Sequence, residues 1–283
     1  MLIIKAIPSP EINSFQLGPL TIHIYAICII SGIILALGLL NKLVKKYNSR
    51  LIDFSALLEM VCWIIPISII GARLFHCVTL PDNYFSSPEK FINIFKIWQG
   101  GLGIMGGVLF GVATAYIFCR IKKIAFFPLL DLAAPCILFA QAVGRFGNYF
   151  NRELYGFPTN LPWGLKVDSS GVLYHPTFLY EAIWNCLGAA ISLYIIYKNY
   201  IFENYSKKIS PKNIGFKNNI LKQGAIFNLY IIWYCLGRTF IELIRIDPSY
   251  QIFGWRLNSF IAFVICVLAI GVFLYRMISR RNS

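Results

Sequence analysis

Residues 125–164 read AFFPLLDLAAPCILFAQAVGRFGNYFNRELYGFPTNLPWG. An apolar run long enough to cross a bilayer breaks off at Gly144, and an arginine between glycines follows at once. Asn148, Asn151, Arg152, Glu153 and Gly156 come next, then the turn-formers Pro158, Asn160 and Pro162. Glycine lets a backbone turn tightly and come close to a ligand. Arginine carries a forked donor that fits phosphate oxygens. The stretch reads as a span leaving a membrane into a turn that holds Arg145, a candidate ligand for the phosphate of a lipid headgroup.

Outward from this stretch the chain stays apolar. Hydrophobic residues make up 58% and charged residues 13% of it, and mean hydropathy is +0.65. A soluble domain carries about 25% charged residues. Roughly 20 apolar residues cross a bilayer, and seven stretches qualify, at about 20–40, 54–72, 102–119, 125–143, 177–197, 224–244 and 257–275. The expected fold is an all-α integral membrane protein of about seven transmembrane helices.

The net charge is +14, and its placement is uneven. Sixteen of the 26 Lys and Arg residues follow alternate spans: Lys42 to Arg50, Arg120 to Lys123, Lys198 to Lys222 and Arg276 to Arg281. The positive-inside rule places those segments in the cytoplasm, with the N-terminus outside and the C-terminus inside. Basic loops of this kind serve topology and contact with anionic lipid, and we expect no nucleic acid as partner. The eight cysteines have no metal-ligand or redox spacing, and read as small buried apolar residues. No metal and no cofactor are expected.

Residues 1–283 read as one polytopic membrane domain with three notable connections. Residues 73–100 form an outward arm, residues 145–176 a small extracytoplasmic head, and residues 198–222 a Lys- and Asn-rich cytoplasmic linker. Gly103, Gly107 and Gly111 recur at four-residue intervals in span three. Such a stripe lets helices approach closely, and with Gly100, Gly101 and Gly106 it could also make room for a headgroup.

Charges inside a span are costly unless paired or hydrated. Tyr234, Arg238, Glu242 and Arg245 share one face of span six by their spacing. Two arginines with one glutamate leave a positive charge that an anionic phosphate would meet; the plain alternative is an ion pair stitching helices. Arg73 ends span two as either an interfacial anchor or a ligand, and Asp131 in span four reads as a group that orients another.

Taken together, these residues resemble the bacterial prolipoprotein diacylglyceryl transferase family. The resemblance covers most of the chain: HIYA at 23–26, GARL at 71–74, WQGGL at 98–102, DLAAP at 131–135, GRFGNYFNRELYG at 144–156, HPTFLYE at 175–181 and YCLGRTFIELIR at 234–245. It implies transfer of the diacylglyceryl group of phosphatidylglycerol to the lipobox cysteine thiol of a preprolipoprotein, with release of glycerol phosphate. That is the first step of bacterial lipoprotein maturation, in the plasma (inner) membrane. The resemblance also implies that Arg145 and Arg238 hold the lipid phosphate and, with Tyr25 and Glu153, are the candidate catalytic residues. Arg73, Asn148, Gly156, Tyr234, Glu242 and Arg245 complete the candidate substrate-binding set.

Two features depart from the family. Its histidine-glycine-glycine sequence in span three is here Met105, Gly106 and Gly107, and a thioether cannot take a thiol proton in that role. The final span reads RLNSFIAF at 256–263 in place of the usual Gly-Gln-containing sequence. Glu153, Tyr25, His23 and His175 are candidate substitutes for the base, or the thiol ionises without one. The rival readings are an altered or inactive paralogue that binds anionic phospholipid or uses another acceptor, and an arginine-lined transporter.

Overall fold

A backbone N–H or C=O in hydrocarbon has no water to bond, so apolar runs of this length satisfy their hydrogen bonds internally as helices. The computed structural model, which describes residues 6–209 and 223–281, is built in that way. Three short strands, β1 (Ile7–Pro8), β2 (Ser14–Leu17) and β3 (Leu20–His23), precede α1 (Ile24–Tyr47) and α2 (Phe54–Thr79). A string of tight turns with one short helix, α3 (Pro88–Phe91), leads to α4 (Ile104–Ile121) and α5 (Phe126–Asn151). β4 (Leu165–Lys166) and β5 (Leu173–Tyr174) come before α6 (Thr177–Ile209) and α7 (Ala225–Leu243). A small hairpin, β6 (Gln251–Ile252) with β7 (Trp255–Arg256), opens into α8 (Leu257–Arg281).

Among the described residues, six helices are long and apolar enough to cross a membrane: α1, α2, α4, α5, α6 and α8. Their apolar side chains stay largely outside the protein core, with Ile34, Leu109 and Leu268 63%, 67% and 64% exposed. Apolar surface on that scale needs a lipid partner. The stretch read as span six is a helix as well, α7, but Asn228, Arg238 and Glu242 within its 19 residues make it the more polar member. α6 runs on to Ile209, into the segment read as the basic linker; residues 210–222 of that segment lie outside the described residues.

One local expectation is corrected. Arg145 does not sit in a turn: α5 continues to Asn151, so Arg145 and Asn148 stand on its last two turns. A mid-helix glycine costs about 0.5–1 kcal/mol, yet tertiary packing overrides that cost at Gly147. A Cβ there would meet the Tyr25 ring at 2.5 Å, so the missing side chain is what lets Tyr25 lie against α5.

The chain divides into two compact units: one comprises the chain up to Leu43 and from Leu130 onward, the other Val44 to Leu129. In the second unit, Asp53 starts α2 by accepting the Ala56 amide at 2.7 Å, the usual N-cap bond. α2 and α4 then pack backbone to backbone. A Cβ on Gly106 would collide with the Gly71 carbonyl oxygen, and one on Gly111 would meet Ser68 Oγ at 2.6 Å. The glycines of span three therefore serve close helix packing.

In the first unit, α6 and α7 are clamped by a reciprocal tryptophan pair. Trp184 Nε1 donates to the Trp233 carbonyl and Trp233 Nε1 to the Trp184 carbonyl, both at 2.9 Å. The two indoles stack at 4.3 Å over Gly188 and Gly237, which have no side chain to obstruct them. The clamp fixes the register that sets Glu181 of α6 beside Arg238 of α7. Asp131 of α5 orients α7 from its other end, accepting the Gly224 and Phe227 amides at 2.6 and 2.9 Å.

Candidate functional site

The site grows from three helix ends of the first unit. α5 contributes Arg145 and Asn148, α6 begins with Thr177 and carries Glu181 one turn on, and α7 supplies Arg238, Glu242 and, just past its end, Arg245. Glu181 lies between the two arginines that the sequence singled out. Arg145 Nε sits 2.5 Å from Glu181 Oε2, and Arg238 Nη1 sits 3.0 Å from Glu181 Oε1. Each oxygen of one carboxylate thus takes one guanidinium, so Arg145 and Arg238 converge.

Arg238 turns its other nitrogen to Glu242, at 2.7 Å. Glu242 is fully buried and is a hub: Arg245 reaches it at 3.1 Å, Arg256 at 3.3 Å and the Asn258 amide at 3.3 Å. Asp247 closes the far side, with Arg245 at 2.8 Å and Arg256 at 3.1 Å. Among the described residues, four guanidiniums and three carboxylates make up this ion-paired cluster, which leaves one positive charge over. Pairing brings most of these charges inside at tolerable cost, since a buried charge needs a partner.

Asn148, also buried, links Glu153 to Arg145. Its amide donates to Glu153 Oε1 at 2.8 Å, and its oxygen meets Arg145 Nη1 at 3.5 Å, a long contact. The Asn151 amide reaches the same Glu153 oxygen at 3.4 Å. Glu153 follows the end of α5, where Arg152 and Leu154 take positive φ of 53° and 60°. That tight exit is held by Arg152, which donates to the Pro10 carbonyl, and by Thr177, whose hydroxyl donates to the Leu154 carbonyl.

Gly156 is where the head passes the end of α7. Its amide donates to the His175 carbonyl at 2.9 Å, and the next amide, of Phe157, donates to the Ile244 carbonyl at 2.9 Å. A Cβ on Gly156 would come within 2.8 Å of both His175 Cβ and the Ile244 oxygen. The glycine therefore places the head against Arg245, and its part in the site is close approach. Tyr234 stacks on Tyr230 and packs against the Cys235–Ala262–Cys266 cluster, one turn before Arg238. Tyr25 rests on Gly147, between Arg145 and Asn148 in sequence.

Arg73 and Met105 belong to the other unit. Arg73 is buried, and all its donors go to main-chain carbonyls of the arm: Ile94, Gly100, Gly101, Asn93 and Lys96. It gathers residues 93–101 around itself. Met105 stands exposed on the first turn of α4. His175 spends Nδ1 on the Tyr180 hydroxyl at 3.1 Å, and His23 ends β3 opposite Ser14, at the open end of the β2–β3 hairpin. Among the described residues, no three His, Cys, Asp or Glu side chains are grouped to hold a metal ion.

Four members of the cluster escaped the sequence reading: Glu181, Asp247, Arg256 and Asn258. Glu181 was findable, because a carboxylate inside an apolar helix carries the same signal as Arg238. The other three lie where α7 turns back into α8, and nothing in their spacing ties them to Glu242. The RLNS sequence that departs from the family lies here: Arg256 and Asn258 bond Glu242, and Ser259 donates to the Thr239 carbonyl at 2.9 Å.

Residues 13–275 match the family model described as prolipoprotein diacylglyceryl transferase. A phosphatidylglycerol–prolipoprotein diacylglyceryl transferase of Bifidobacterium adolescentis is 41% identical over 286 aligned positions, covering 95% of this chain and 79% of that protein. The protein of the same name from Cutibacterium acnes is 39% identical, covering 94% of this chain and 85% of its own. That of Streptomyces griseus is also 39% identical, over 93% of this chain and 75% of its own.

Proposed function

The chain belongs to the prolipoprotein diacylglyceryl transferase family, and we propose that it moves the diacylglyceryl group of phosphatidylglycerol to the lipobox cysteine of a prolipoprotein signal peptide. The thiol sulfur attacks the glycerol carbon next to the phosphate. A carbon–sulfur bond forms, the carbon–oxygen bond breaks, and glycerol phosphate leaves with the electron pair. The thiol proton passes to a base.

One observation carries this reading: Arg145 and Arg238 meet on Glu181 within a cluster holding one more guanidinium than carboxylates. Charge grows on the phosphate oxygens as the carbon–oxygen bond breaks. Guanidiniums already fixed in a site of low dielectric stabilise that growth without reorganising. Holding lipid and thiol together removes much of the entropic barrier. Arg145 and Arg238 then grip the phosphate. Glu242 and Arg245 brace them, and Asn148, Gly156, Tyr234 and Tyr25 shape the site around the glycerol. Of the base candidates, Glu153 is the one joined to Arg145, through Asn148. We assign it the thiol proton.

In the membrane we place seven crossings, α7 included. The N-terminus and the 145–176 head lie outside, and the basic ends of α1, α4, α6 and α8 lie in the cytoplasm. The membrane is the bacterial plasma membrane. Incubating purified protein with phosphatidylglycerol and a lipobox peptide should add the mass of diacylglycerol to the peptide cysteine. A peptide of unchanged mass, with the protein folded, would overturn the reading.

A further inference from the structure

Arg73 is 5% exposed, and its partners are five carbonyl oxygens and the Tyr84 ring, whose centroid lies 5.0 Å away. No carboxylate pairs with it among the described residues. Carbonyl dipoles satisfy its donors but leave its charge in place. Gly100 and Gly101 make this possible: at φ of 87° and 77° they turn two successive carbonyls onto one guanidinium nitrogen.

Beside this uncompensated charge lies a cavity of about 340 Å³, lined by Arg73, His76, Asn83, Tyr84, Lys90 and Asn93 with the two glycines. Its size falls in the range of small-ligand sites, roughly 300–1,000 Å³. The lining includes two cations and an imidazole and no acid; Asp82 and Glu89 of the same stretch are not among the lining residues. Donor capacity remains. Lys90 Nζ bonds Ser86 Oγ at 2.9 Å and the Asp82 carbonyl at 3.3 Å, which leaves one N–H. Asn93 uses its oxygen to accept from Lys96 at 3.0 Å, leaving its amide hydrogens. The His76 ring packs edge-on to Tyr84, and no hydrogen bond to it forms among the described residues.

We propose that this arm cavity is a second anion site, which takes a phosphate group between Lys90, His76 and the Asn83 and Asn93 amides. Arg73 supplies field rather than donors. The phosphate is that of a free phosphomonoester or of an anionic lipid headgroup, two sources of one chemistry. A tetrahedral, many-oxygen anion suits donors converging from several elements better than a planar carboxylate does. The site lies wholly within Val44–Leu129 and does not depend on the transferase reading.

The chain has only 3 histidines, so imidazole NMR of the full-length protein with labelled histidine reads His76 against His23 and His175. His76→Gln assigns the signal. The protein is placed in phosphatidylcholine nanodiscs and titrated with glycerol phosphate and, separately, sodium chloride as an ionic-strength control. A second sample carries phosphatidylglycerol in the nanodisc. A saturable His76 shift with glycerol phosphate identifies a free phosphomonoester as ligand, and a shift only with phosphatidylglycerol identifies the lipid headgroup. In either case Lys90→Gln, at an exposed position, should weaken binding about tenfold, the loss of one charge-assisted hydrogen bond. The proposal is overturned by a His76 signal that neither glycerol phosphate nor phosphatidylglycerol moves, by a shift that chloride reproduces at equal ionic strength, or by affinity unchanged in Lys90→Gln.

Discussion

Replacing Glu181 with glutamine separates the placing of the two key arginines from their charge. The Glu181 side chain is 8% exposed and bonds Arg145 at 2.5 Å and Arg238 at 3.0 Å. Glutamine keeps one acceptor oxygen and turns an NH2 toward the other guanidinium, so one charge-assisted bond is lost and the second weakens. Such bonds contribute about 1.5–3 kcal/mol each. Arg238 retains Glu242, whereas Arg145 loses its only carboxylate partner among the described residues. A loss of roughly 3 kcal/mol in positioning converts to about a hundredfold in kcat, since each 1.36 kcal/mol is tenfold. The surplus positive charge of the cluster meanwhile rises, so KM for phosphatidylglycerol should not increase. Initial rates of peptide modification, followed by mass across a range of lipid concentrations, give both constants. Glu181→Asp, one methylene shorter, should fall between glutamine and the parent. A kcat within about twofold of the parent, or a raised KM at unchanged kcat, would refute a positioning role, because the arginines would then be held without Glu181.

Arg145→Ala should reduce transfer about a thousandfold, as expected for an electrostatic donor, while the protein still inserts. Arg145→Lys should recover part of it, because an ammonium lacks the planar fork; product mass measures both. Met105→His tests whether this position limits the reaction, since a gain in turnover over the parent shows that an added base helps. Gly106→Val should lower stability by about 1–3 kcal/mol through overpacking, measured by thermal unfolding in detergent. Gly107→Ala should be nearly silent, because a Cβ there meets Ala72 and Ser68 at an ordinary 3.5 Å. In the head, the Ser170 hydroxyl and amide hold the Asp168 carboxyl below the usual carboxylate range. The stabilisation this brings is present at neutral pH and lost as pH falls through the lowered value. Ser170→Ala should move the carboxyl back up in an NMR titration of labelled aspartate.

Hydropathy and periodicity carried the helices well, because a bilayer leaves an apolar run little choice of form. They carried the helix ends poorly. α5 outlasts the apolar run by two turns because Gly147 accepts the Tyr25 ring, a contact across 122 positions that no local pattern encodes. The polar face of α7 was legible from spacing alone, and Arg238, Glu242 and Arg245 do form one chain of ion pairs. The partners of that face were not legible, since Glu181, Asp247 and Arg256 arrive from other elements. Arg73 shows the converse. Its place at a span end suggested an anchor or a ligand, and only the fold of residues 93–101 reveals that carbonyls fill its fork.

The charge count bears on the base as much as on the phosphate. Among the described residues Glu153 makes no ion pair, and a single oxygen of it takes both Asn148 and Asn151. On accepting a thiol proton it becomes neutral, and its hold on the Asn148 amide weakens. Asn148 also touches Arg145, so the field that Glu153 had exerted on that guanidinium falls as the proton arrives. The net local charge facing the phosphate is then more positive at the moment the leaving group needs it. Proton transfer to Glu153 and charge growth on the phosphate thus favour each other in this chain, which gives a physical reason why Met105 is compatible with the reaction.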